Sequence, residues 1–147
     1  MPVTTTEFIV KLKREKLWSV LNDLNTIGKC VPGCEEVQVL SPEYSRWKVK
    51  VTLGIVTRRI DARVYIIERS EPHAISIKIE SVDANIVGRW RLDLSDQGEE
   101  GTRVTLTADL VARGGFEWVI NQIMKTQLNK LVMRFADCIS GKTTSTS

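Results

Sequence analysis

The sequence predicts an α+β domain in which a curled antiparallel sheet of about seven strands wraps one long C-terminal helix, with two short helices after the first strand. Three observations carry this. Apolar residues recur at helical spacing over residues 15–31, at period two over residues 36–112, and at helical spacing again after Gly114-Gly115. The breaks between the strand-like stretches hold turn residues and are too short for helical crossovers, so neighbouring strands run antiparallel. A helix is about 10 Å wide, whereas seven strands at about 4.8 Å spacing exceed 30 Å, so one helix covers such a sheet only if the sheet curls around it.

Each element has its own signal. Glu7-Phe-Ile-Val-Lys-Leu-Lys13 alternates and opens the sheet. From Glu15 to Leu24, Leu17, Val20, Leu21 and Leu24 lie at helical spacing. Asn25 then caps a second short helix, which Val31-Pro32-Gly33 stops because a proline disfavours a helical residue before it. Six strands follow at about 36–40, 44–53, 58–69, 74–82, 86–95 and 102–112. Ser41-Pro42, Gly54, Glu71-Pro72, Asp83-Ala84-Asn85 and Asp96-Gln-Gly98 supply the turns. The stripe Phe116, Ile120, Ile123, Met124, Leu128, Leu131, Val132, Phe135 and Ile139 predicts one helix of about 25 residues. Residues 1–141 read as a single domain and 142–147 as a polar tail.

Strand parity separates a buried face from a wet one. Trp47, Val49, Val64, Ile77, Trp90 and Leu106 share the apolar face, and the long helix adds Trp118 and Ile123. Because a broad trough and a cylindrical filler do not match, these eight residues are the expected lining of a ligand cavity. The opposite face carries Lys48, Lys50, Arg58, Arg59, Arg63, Arg89 and Arg91 among acidic neighbours, a pattern that predicts a solvated surface rather than a nucleic-acid interface.

Composition narrows the chemistry. The 147 residues carry 21 basic and 18 acidic side chains, and this net charge of +3 does not point to nucleic acid. No apolar run reaches the roughly 18 residues of a transmembrane helix, and Met1 to Lys16 lack a secretory apolar core, so a cytoplasmic protein is expected. The single His73, in a turn, removes most metal and triad arrangements, and neither catalytic residues nor a cofactor are assigned. Cys30 and Cys34 flank the Pro32-Gly33 turn without further ligands to complete a zinc site. Free thiols are the expected state of the cysteines, with a Cys30–Cys34 disulfide across the turn as the alternative.

The order of elements resembles the helix-grip fold of the START-like (SRPBCC) superfamily over residues 5–140. Within it, Phe8-Ile-Val, Leu17-Trp18-Ser-Val-Leu-Asn-Asp23 and Ile27-Gly-Lys-Cys-Val-Pro-Gly-Cys-Glu-Glu-Val37 are similar to the carbon monoxide dehydrogenase G-subunit family. Gly54-Ile-Val-Thr-Arg-Arg-Ile-Asp and Gly101-Thr-Arg-Val-Thr-Leu add to that similarity. The resemblance implies a non-catalytic module that holds an apolar, lipid- or quinone-like molecule and serves as an accessory or recruitment factor for a molybdenum hydroxylase. It further implies contact at the membrane periphery, while direct anchoring through the polar hexapeptide that ends at Ser147 is not expected. Two alternatives stand beside it: a protein-interaction module with a filled core, and an enzyme of the cyclase type.

Overall fold

The computed structural model describes residues 3–81 and 85–141, apart from the side chain of Phe116. The expected tail at 142–147 and the Asp83-Ala84 part of one turn lie outside the described residues. The chain runs β1 (Val3–Val10), α1 (Arg14–Leu21), α2 (Leu24–Cys30), β2 (Cys34–Ser41), β3 (Tyr44–Leu53) and β4 (Val56–Ser70). It continues through β5 (Ala74–Ser81), β6 (Ile86–Gln97), β7 (Gly101–Ala112), α3 (Phe116–Thr126) and α4 (Leu128–Ile139). The seven described strands form one antiparallel sheet in the order β1-β7-β6-β5-β4-β3-β2. The curled α+β helix-grip architecture expected from the apolar periodicities is the architecture found.

The differences are local. β1 lies earlier than the alternation at residues 7–13 suggests, because its pairing with β7 runs Val3↔Asp109 to Val10↔Thr102 and Lys11 to Lys13 then bend away into α1. The cap of α2 is Asp23, two residues before the expected Asn25. Its carboxylate accepts from the Asn25 backbone N–H at 3.0 Å and from the Thr26 hydroxyl at 3.1 Å.

The single C-terminal helix is corrected to two. Gln127 leaves helical geometry (φ −123°, ψ −3°) between α3 and α4. Just before it, the Thr126 hydroxyl donates to the Gln122 carbonyl at 2.7 Å, a back-bond of the kind that bends helices. The apolar stripe continues across the break, so the two halves follow a curved trough that one straight rod cannot.

The free thiols are also corrected. Cys30 and Cys138 form a disulfide that ties the end of α2 to the last turn of α4, and Cys34 remains free. In the sequence Cys30 and Cys34 are the near neighbours. The helical phase instead points Cys30 at α4, while Cys34 has already entered β2 opposite Val49.

These connections give the sheet two unlike ends. At one, β1 leads into α1, and α1, α2 and the last turns of α4 fill the trough with Leu17, Leu21, Leu24, Ile27, Phe135 and Ile139. At the other, the β3–β4 hairpin turns, β5 ends, β6 begins and β7 runs into α3. There α3 covers the sheet, with Val119, Ile120 and Ile123 packed among Ile60, Ile86 and Ala112 and Leu131 of α4 at the edge of the cluster. The outer face is wet and paired: Lys48 to Glu36 at 3.4 Å, Arg59 to Glu35 at 3.0 Å, and Arg91 to Glu68 at 2.6 Å and to Asp93 at 3.0 Å. Such exposed pairs add little stability each.

Candidate ligand cavity

Between the two packed regions the trough is not filled. A cavity of about 270 Å³ lies under the junction of α3 and α4, near the lower end of the roughly 300–1,000 Å³ range of small-molecule sites. Its floor is the apolar parity of five strands, including Val49 and Val51 of β3, Ile60 of β4, Ile79 of β5, Trp90 of β6 and Leu106 of β7. Its roof is Ile120, Ile123 and Met124 of α3 with Leu128, Leu131 and Phe135 of α4, and Val31-Pro32 closes one side. The polar residues on the wall are Lys50, Thr52, Ser81 and Gln127. Among the described residues no carboxylate, imidazole or phenol lines it. A wall of this kind holds an apolar body by removing both surfaces from water and offers no acid–base pair for proton transfer.

Of the eight residues expected on the wall, Trp47, Val49, Trp90, Leu106 and Ile123 lie on it. Val64 and Ile77 have the inward parity assigned to them but sit in the filled half, buried with Leu92, Leu94 and Val104. Trp118 is a correction: its indole is 60% exposed, on the side of α3 turned away from the sheet. It lies off the Phe116, Ile120, Ile123, Met124 stripe, and that phase is the signal that turns it outward. The wall residues left off the expected set, among them Ile60, Ile86, Leu110 and Leu131, share the parity and stripe of those on it.

Trp47 anchors the back of the cavity. It is buried, tilted against Trp90 with ring centroids 6.4 Å apart, and its Nε1 has no hydrogen-bond partner among the described residues. The indole nitrogen packs on Gly28 of α2, where an added Cβ would stand 2.9 Å from it, so glycine is what lets α2 approach the sheet there. Trp90 is half-buried because one side of its ring faces the open space.

Cys34 stands beside the Val31-Pro32 wall without belonging to it. Burial pushes its thiol above the ordinary range, and the Glu35 charge adds to this, against a lowering hydrogen bond to the Glu36 carbonyl at 3.5 Å. A thiol so raised stays protonated at neutral pH and is a poor nucleophile. Alkylation of the native protein at pH 7 is therefore expected to be slower than that of a free cysteine and to accelerate only as pH rises through the raised value. Rapid labelling at pH 7 would show an activated thiol instead. His73 is exposed in its turn, with Nδ1 3.3 Å from an Arg14 guanidinium nitrogen and remote in the fold from the cavity wall. Among the described residues no three His, Cys, Asp or Glu side chains are grouped to hold a metal.

The chain is similar to known proteins over most of its length. The family model described as the carbon monoxide dehydrogenase G subunit (CoxG) matches residues 7–144. No curated protein matches. Among solved structures, a conserved protein from Geobacillus kaustophilus is 17% identical with a TM-score of 0.82, covering 96% of this chain and 94% of that one. A START superfamily protein from Mycobacterium smegmatis is 13% identical with a TM-score of 0.72 and 99% coverage of both chains. The Zhui aromatase/cyclase from Streptomyces sp. R1128 is 13% identical with a TM-score of 0.67, covering 99% of this chain and 98% of that one. At these identities the structures share the fold.

Proposed function

The chain belongs to the CoxG family of carbon monoxide dehydrogenase, and on this basis we propose that it is a non-catalytic binding module for an apolar small molecule, lipid- or quinone-like in class. In this reading it serves as an accessory or recruitment factor for a molybdenum-hydroxylase type enzyme and meets the membrane peripherally. The observation that carries the ligand half is the apolar cavity between the curled sheet and the α3–α4 junction. The family carries the partner half. Among the described residues no helix is long and apolar enough to cross a membrane.

Entry of an apolar ligand strips water from both walls, so binding carries a negative heat-capacity change, and ring contact alters the emission of Trp90. Soluble quinone and fatty-acyl analogues titrated into delipidated protein are expected to bind saturably in the low-micromolar range, about −8 kcal/mol. Trp90→Ala removes most of the emission response while calorimetric heat persists. Solvent extraction of denatured protein followed by mass spectrometry identifies any molecule carried through purification. No binding from any apolar class, with an empty extract, would sink the carrier reading in favour of a pure interaction module. Co-precipitation with a purified molybdenum hydroxylase tests the partner half separately.

A further inference from the structure

The half of the molecule that holds the cavity also ends in apolar side chains that no described residue covers. Ile55 is fully exposed at the tip of the β3–β4 hairpin, Trp118 at the start of α3 is 60% exposed, and Val56 beside the tip and Val87 at the start of β6 are about half exposed. The hairpin loop has two residues, Gly54 and Ile55, between the paired Leu53 and Val56. Gly54 takes the positive φ (+61°) that such a loop requires at its first position. Turn geometry asks for nothing apolar at the second, where polar residues and glycine are usual, so a β-branched aliphatic there needs another reason. Val51 and Leu53 pack against the cluster that contains Val119 and Ile120, which brings the hairpin tip and the Trp118 turn of α3 to the same end.

Charge accompanies the apolar tip. Lys50, Arg58, Arg59, Lys78 and Arg113 stand toward this end against Glu35, Glu80 and Glu117 among the described residues, with Arg59 bridged to Glu35 and Lys78 to Glu80. Aliphatic side chains at a protruding tip, an indole at its edge and cations set a few residues behind match the layering of a bilayer surface: acyl region, interface, anionic headgroups. The opposite end exposes Ile9, Val39, Leu40 and Ile67, but these are spread over β1, β2 and β4 rather than gathered with an indole, and the exposed acids Glu43 and Glu71 stand near them. We propose that the Ile55 hairpin tip and the Trp118 turn of α3 together form a docking surface for anionic lipid bilayers, placing the cavity beside the lipid phase from which an apolar ligand comes. This deepens the membrane contact of the proposed function and rests on it, but the surface does not require the cavity to be occupied.

The test uses the whole chain with vesicles of phosphatidylcholine alone and mixed with phosphatidylglycerol. Wild type is expected to co-sediment with the mixed vesicles, more weakly with the neutral ones, and to shift its emission to the blue, since Trp118 is the indole most open to solvent among the described residues. Ile55→Ser and Trp118→Ser each lower partition by roughly tenfold, the effect of one large apolar side chain no longer buried. Met133→Ser, which removes an equally exposed apolar side chain on α4, leaves partition unchanged. All of these positions are exposed, so the variants fold. Full partition of Ile55→Ser, equal losses in Met133→Ser, or no wild-type partition would each overturn the proposal. A wild-type dimer that Ile55→Ser dissociates would reassign the surface to a second copy of the chain. Uptake of a soluble fatty-acyl probe without vesicles keeps the two readings apart. Retained uptake by Ile55→Ser with lost partition supports docking as a separate property, whereas partition without uptake in wild type sinks the cavity reading alone.

Discussion

Breaking the Cys30–Cys138 disulfide is expected to cost about 4–5 kcal/mol of unfolding free energy, because the bond closes a loop of 108 residues and removes that much chain entropy from the unfolded state. The measurement is denaturant unfolding of the oxidised and reduced protein, with Cys138→Ala as the non-reducible comparison, since residue 138 is half-buried and alanine leaves no unpaired polar group there. Alkylation in denaturant without reductant should find one thiol, Cys34, and three after reduction. A stability difference under about 1 kcal/mol, with three thiols found before reduction, would mean that the bond is absent from the protein. The bond has a bearing on the site as well as on stability. It fixes the last turn of α4 against α2, and α2 runs straight into the Val31-Pro32 side of the cavity. Reduction is therefore expected to weaken ligand retention even where the protein stays folded.

Phe135→Ala is expected to cost about 3–5 kcal/mol, the usual penalty for emptying a buried aromatic position. Phe135 is 7% exposed and joins the filled cluster of Leu17, Leu21 and Trp47, while one edge of its ring reaches the cavity roof. Leu131, on the same stripe, is half-buried against open space, so Leu131→Ala falls at the lower end of the range for leucine, about 2 kcal/mol. Sequence spacing alone assigns the two positions the same weight. Urea unfolding distinguishes them, and a Phe135→Ala loss below about 0.5 kcal/mol, the level of an exposed substitution, would remove α4 from the core. The same pair separates stability from function. Leu131→Ala enlarges the cavity at small cost and is the variant in which ligand size preference should change.

Much of the fold was legible because its signals are local. A strand alternates wherever one of its faces is dry, and the alternation in β3 through β7 places Trp47, Val49, Trp90 and Leu106 on the buried side without knowledge of any partner. Half of the site was legible in the same way. Parity says which side a residue faces but not what covers that side, so it treats Val64 and Ile77 like Val49 and Leu106. The first pair meets the filled half beneath α1, α2 and α4, and the second meets empty space. Size and chain position alone put Trp118 on the wall, whereas the helical phase it breaks from turns it outward to the solvent side.

The order of elements, the antiparallel sheet, the dry face and the helical stripe all follow from the residues in chain order, because each rests on backbone period and side-chain polarity within a short stretch. Three features came instead from the folded chain: Cys30 pairs with Cys138 across 108 residues, the last helix breaks at Gln127, and packing fails in one part of the trough. All three depend on how strongly the sheet curls and where the curved surface meets its helices. That curvature is a sum over seven paired strands, and no local run of residues carries it.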